Sequence, residues 1–118
     1  MNLAFHTHTQ HPWTVLAVEG ELDLHTSPQL RAAILEIANA GSTRIALDLR
    51  DAPFMDSSSL GVLVEALKRS RDKGGDVALV APQRSPEKVL SLTGLDKVFL
   101  LVGDVDQLPS SPSGNGAS

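Results

Sequence analysis

Cysteine is absent from the 118-residue chain, and its absence excludes disulfides, thiolate metal sites and cysteine nucleophiles together. Aromatic residues are scarce at 3%, so Leu, Val, Ile and Ala have to build the core. No apolar run approaches the roughly 20 residues needed to span a bilayer. The first ten residues, "MNLAFHTHTQ", lack the basic stretch and apolar core of a secretory signal, which makes the cytoplasm the expected location. A positive field is missing too: the formal net charge is −4, which argues against nonspecific nucleic-acid binding. What remains, 42% hydrophobic and 20% charged residues, is the composition of one ordinary globular domain.

Turn residues divide the chain into short periodic segments. Residues 3–9 and 13–19 read as strands separated by "QHP". In "TSPQLRAAILEIANAG", Ser27 is the expected N-cap, Pro28 the first helical residue and Gly41 the stop. Leu30, Ala33, Ile34 and Ile37 share one face of a helix over about 28–39. Residues 44–49 form the next strand, and Leu60, Leu63, Val64 and Leu67 mark a helix over 57–73 that ends at Gly74-Gly75. A strand (76–81), a helix (85–94) and a last strand (98–102) follow. The order ββαβαβαβ predicts an α/β fold with a mainly parallel mixed sheet and crossover helices. The domain is expected over 1–108, because "PSSPSGNGAS" (109–118) has no apolar residue larger than Ala or Pro and reads as a disordered tail.

The stretch "FMDSSSLG" (54–61) carries the candidate chemistry. It lies beyond the carboxyl end of a strand, where α/β proteins place their functional loops. One serine is enough to cap the following helix, so three in a row exceed what capping requires. A serine nucleophile would need a Gly-x-Ser-x-Gly elbow and a base, yet "DSSSL" is no elbow, and His6, His8, His11 and His25 all lie in the N-terminal part of the chain. His6 and His8 share one face of a strand without an acidic or cysteine partner in the same stretch, which leaves adventitious metal binding at most. Asp104 and Asp106 lack the glycine and distal Glu of a calcium loop. Asp48 stands where a receiver domain has its phosphoacceptor, but no Lys follows "VFLLVG" as a receiver would require. Lys68, Arg69, Arg71 and Lys73 crowd the end of a helix, where cations complement its dipole.

Two stretches, "GELDLHTSPQL" (20–30) and "FMDSSSLGVLVEALKRSRDKGG" (54–75), resemble the signature regions of bacterial anti-sigma-factor antagonists, the small single-domain members of the STAS family. "RIALDLRDAPFMDSS" and "LSLTGLDKVF" keep the spacing that the resemblance asks for, which extends over roughly residues 3–105. The family pattern Asp-Ser-Ser/Thr-Gly-Leu-Gly falls on Asp56-Ser57-Ser58-Ser59-Leu60-Gly61, with Ser59 in place of the first Gly.

The resemblance implies a non-enzymatic binding protein that needs no cofactor of its own. Its partner would be an anti-sigma factor that is also a serine kinase, supplying ATP and Mg²⁺; a serine phosphatase would reset the switch. Neither nucleic acid nor membrane is expected to bind directly. Ser57 is implied as the phosphoacceptor, and Asp23, Asp56, Ser57, Ser58, Leu60 and Gly61 as the partner-binding residues. Unphosphorylated protein would bind the anti-sigma factor and free a sigma factor. A constitutive STAS subunit of a transport or signalling scaffold is the alternative. A phosphate on Ser57 is further expected to meet free amide N–H groups at the helix start.

Overall fold

The computed structural model describes residues 2–110. Its elements run β1 (Ala4–Gln10), β2 (Trp13–Glu19), α1 (Ser27–Asn39), β3 (Arg44–Asp51), α2 (Ser58–Asp72), β4 (Asp76–Val80), α3 (Arg84–Thr93) and β5 (Leu100–Val102), the order expected. Short 3₁₀ turns at Leu95–Lys97 and Val105–Gln107 flank β5. The strands lie side by side in chain order, β1 antiparallel to β2 and the rest parallel. Because that order never reverses, crossovers of one hand always advance in the same direction and place every helix on the same face.

The core follows from this arrangement. Leu30 and Ile34 of α1, Leu63 and Leu67 of α2, and Leu90 of α3 pack with Leu16, Ile45, Leu47 and Leu79 of the sheet. The alternate strand residues, Trp13, Val15, Ala46, Ala78 and Val80, point to the other face and form a second, smaller cluster with Leu108. Val105 packs against it, so a single extended segment covers this face where three helices cover the other. Trp13 Nε1 donates to the carbonyl of Pro109 at 2.8 Å. Residue 109, expected to start the free tail, is thereby tied to the fold; residues 111–118 of that tail lie outside the described residues.

Gly74 ends α2 in a left-handed conformation, φ 80°. Gly75 has a separate reason: a Cβ there would fall 1.7 Å from the Thr43 carbonyl oxygen. The cations near this end find acids, with Arg71 3.2 Å from Asp76 and Arg69 3.8 Å from Glu65. The last strand is shorter than 98–102, since the Leu95 carbonyl accepts from both Val98 N–H (3.0 Å) and Phe99 N–H (3.1 Å). That turn buries Phe99 in the main core and delays pairing until Leu100.

Candidate functional site

Two loops leave the carboxyl ends of adjacent parallel strands, β2 and β3, and they stay paired after the strands end. Leu22 N–H donates to Phe54 O and Asp56 N–H to Leu22 O, both at 2.9 Å, making an isolated parallel bridge between Leu22 and Met55. Leu22 and Met55 are buried, so the bridge is anchored from below. It holds Asp23 and Asp56, the two acids singled out from the sequence, at the top of neighbouring loops.

The first loop is shaped by Asp23. Its Oδ1 accepts from the N–H groups of His25 (2.9 Å) and Thr26 (3.0 Å), while Thr26 Oγ1 accepts from Asp23 N–H and donates to Glu21 O. The Thr26 N–H bond, with smaller help from His25 and the Thr26 hydroxyl and against partial desolvation, holds the Asp23 carboxyl below its ordinary pKa. This reciprocal turn moves the helix start. Thr26, not Ser27, is the N-cap of α1, and it caps without a side-chain bond. Ser27 is released from capping and buried; its hydroxyl donates to Asp23 O at 2.7 Å.

The three serines separate into three environments. Ser58 is half-buried, with its N–H on Asp56 Oδ1 at 2.9 Å and its hydroxyl donating to the same oxygen. Ser59 is 0% exposed and its hydroxyl meets that of Ser27 at 3.2 Å, linking the starts of α1 and α2. Ser57 is the N-cap of α2, exposed, and among the described residues its hydroxyl has no hydrogen-bond partner. The bland capping role thus falls to Asp56, and the serine in the place of the family's first Gly is an interior helix–helix contact.

The remaining candidates divide. Gly61 is exposed, and a Cβ there would meet nothing within 4 Å, so the first turn of α2 is open to a close approach from outside. Leu60 is 6% exposed and belongs to the main core, because its side chain points down the apolar stripe of α2. It seats the helix and offers little surface of its own. The expected free amides are a correction. The N–H groups of Ser58, Ser59 and Leu60 are already taken by Asp56 Oδ1, Asp56 O and Ser57 O. A phosphate on Ser57 would face the helix dipole without vacant donors from those residues.

Two contact candidates escaped sequence reading. Leu24 is 69% exposed and Phe54 42%, large apolar side chains flanking the acids on the two bridged loops. The sequence carried little signal, since Leu24 lies beside Leu22 and Phe54 beside Met55, and only the fold turns one of each pair inward and the other out. Beside Phe54 runs a groove of about 490 Å³ between the second loop and α3, edged by Arg84 and Lys88. Met55 N–H reaches Ser85 Oγ across its floor at 3.3 Å. The histidines add nothing here: among the described residues no group of three or more His, Cys, Asp or Glu is placed to hold a metal ion. Asp48 and Asp104 each accept a local backbone N–H, from Arg50 and Asp106. Among the described residues no helix is long and apolar enough to cross a membrane.

The sequence and the fold, a five-strand sheet with helices on one face, match a known family. The STAS domain model matches residues 4–108. A Thermotoga maritima protein assigned as an anti-sigma factor antagonist is 42% identical over 72 residues, 61% of this chain and 64% of that relative's length. The anti-sigma F factor antagonist of Paenibacillus polymyxa is 33% identical over 100 residues, 84% of this chain and 86% of its own. The solved structure of the anti-sigma factor antagonist SpoIIAA in its unphosphorylated form is similar at TM-score 0.73 and 27% identity, covering 87% of this chain and 91% of that one. The phosphorylated form of Bacillus SpoIIAA is similar at TM-score 0.67, with 27% identity, 87% of this chain and 95% of that one. The chain belongs to the STAS-domain family of anti-sigma factor antagonists.

Proposed function

We propose that this protein, unphosphorylated, binds an anti-sigma factor and so frees a sigma factor, and that phosphorylation of Ser57 ends the binding. The observation that carries the reading is the contrast among Ser57, Ser58 and Ser59: of these three, only Ser57 combines exposure with a hydroxyl uncommitted among the described residues. The relatives support it, being antagonists of anti-sigma factors, one of them solved in phosphorylated form. In this reading the anti-sigma factor is itself the kinase, and the reaction belongs in the cytoplasm, where sigma factors act. It brings ATP and Mg²⁺, the Ser57 Oγ–P bond forms as the γ-phosphoryl leaves ADP, and the hydroxyl proton passes to a base of the kinase. A serine phosphatase removes the group by hydrolysis.

The contact face is the exposed rim of the two bridged loops, with Asp23, Asp56 and Ser58 shaping it, Leu24 and Phe54 adding apolar surface, and Gly61 allowing close approach. A phosphate adds about −1.5 to −2 charges. It would enter a rim that already holds two carboxylates and where the N–H groups of Ser58, Ser59 and Leu60 are occupied. Buried against a partner without a matching cation, that charge should weaken binding by about 2–4 kcal/mol, roughly 30- to 1000-fold.

The test is titration of both forms against the anti-sigma factor, after the modified residue has been mapped by mass spectrometry. Phosphate on Ser58 or Ser59, or equal affinity of the two forms, would sink the reading. Equal affinity would favour a constitutive scaffold subunit. Ser57→Ala should bind constitutively, and Ser57→Asp should imitate the phosphate only weakly because it carries less charge.

A further inference from the structure

The sheet has two edges, and they are managed differently. β5 is three residues long, one of the usual ways of blunting an edge. β1 is seven residues long, pairs with β2 without a register break, and has no other strand beside it among the described residues. It contains no Lys, Arg, Asp, Glu or Pro, and no bulge, the other usual protections. Six of its seven residues, "AFHTHTQ", are polar or small, yet the edge is bare of formal charge in a chain whose net charge is −4. Two copies approaching each other would therefore meet least repulsion along this line.

We infer that β1 is a homodimer edge, on which β1 of a second copy pairs antiparallel to extend the sheet across a two-fold axis. Full overlap of Ala4–Gln10 with itself puts the axis at Thr7. Phe5 then lies opposite Thr9 of the second copy, and His6 opposite His8. Phe5 marks the helix-side face, since it packs on the main core, so His6 and His8 lie on the other face. Behind the strand on the helix side, Phe5, Ala32 and Ala33 line an open groove of about 410 Å³ together with Gln29 and Glu36. Its small residues leave room for α1 of the second copy. A strand of this length runs about 24 Å. With the helix layer behind it, the contact totals on the order of 1,000 Å² over both copies, the lower limit for a specific interface and the size of a weak dimer.

The experiment is sedimentation of the untagged full chain from micromolar to near-millimolar concentration. The expected result is a mass that rises toward that of two chains. Thr7→Lys puts two ammonium groups at the axis and should weaken association by about two- to fivefold. Two double variants test the register: His6→Lys with His8→Lys, and His6→Glu with His8→Glu. Each should stay monomeric alone and the two should pair when mixed, because Lys then faces Glu on both sides of the axis. All these positions are exposed, and melting curves confirm that each variant is folded. A wild-type monomer at every concentration, a dimer indifferent to Thr7→Lys, or a mixture that fails to pair would overturn the inference. So would a dimer broken by Leu24→Glu and not by Thr7→Lys, since that would place the contact on the loop rim.

Discussion

The two faces of the sheet solve the same burial problem with different materials. On the helix side, Leu16, Ile45, Leu47 and Leu79 meet three amphipathic helices, and large side chains interlock across the layer. On the other side, Ala46 and Ala78 stand where the helix face has Leu and Ile, and one segment carrying Val105 and Leu108 covers them. Small residues let a single chain lie close to the strands, and Trp13 walls off one side. The consequence is a division of labour: the helix face supplies most of the stability, and the second face is thin enough to be removed piece by piece.

The first way to break this comparison is Leu63→Ala, on a fully buried residue of the helix face. It should cost about 2–5 kcal/mol and lower the melting temperature by roughly 10 °C or more. Ending the chain after Gln107 removes Leu108 and the Pro109 carbonyl from the other face, and should cost about 2–3 kcal/mol in denaturant unfolding. Ending it after Ser110 keeps both and should shift the melting temperature by no more than about 2 °C, roughly 0.5 kcal/mol or less. Ala78→Leu tests how closely the covering segment lies: overpacking there should cost about 1–3 kcal/mol, with Trp13 fluorescence shifted as the segment lifts. The mildest of the substitutions is Trp13→Phe, which keeps most of the ring but loses the bond to Pro109, at about 1 kcal/mol. If that change cost as much as Leu63→Ala, the ranking of the faces would be wrong.

The element order was legible in the chain because punctuation and periodicity agreed, as at Pro28, Gly41 and Gly94. The side on which each helix lies was open until the strand order was known, since period-2 strands such as 44–49 fill both faces. The serine loop shows the limit more sharply. Asp56 as cap is a local matter, but which hydroxyl remains free depends on Ser27, 32 residues before Ser59 and itself displaced from the cap by Asp23. The burial of Leu60 was hidden for a related reason. A motif position next to exposed residues reads as surface, while the helical stripe through Leu60, Leu63 and Leu67 turns it inward. Pro109 needed a long-range partner, Trp13, that tail composition cannot reveal.

If the protein acts as proposed, the bridge between Leu22 and Met55 bears on how quickly it can engage a partner. A rim of two free loops would have to be ordered at each encounter, and that lost entropy would be deducted from affinity and from the rate of productive collisions. Here the loops are stitched to one another before anything docks. Association should then approach the rate set by diffusion and orientation, and differences in affinity should appear as differences in residence time. A change that cut the stitch while leaving the contact residues in place should slow arrival more than it hastens departure.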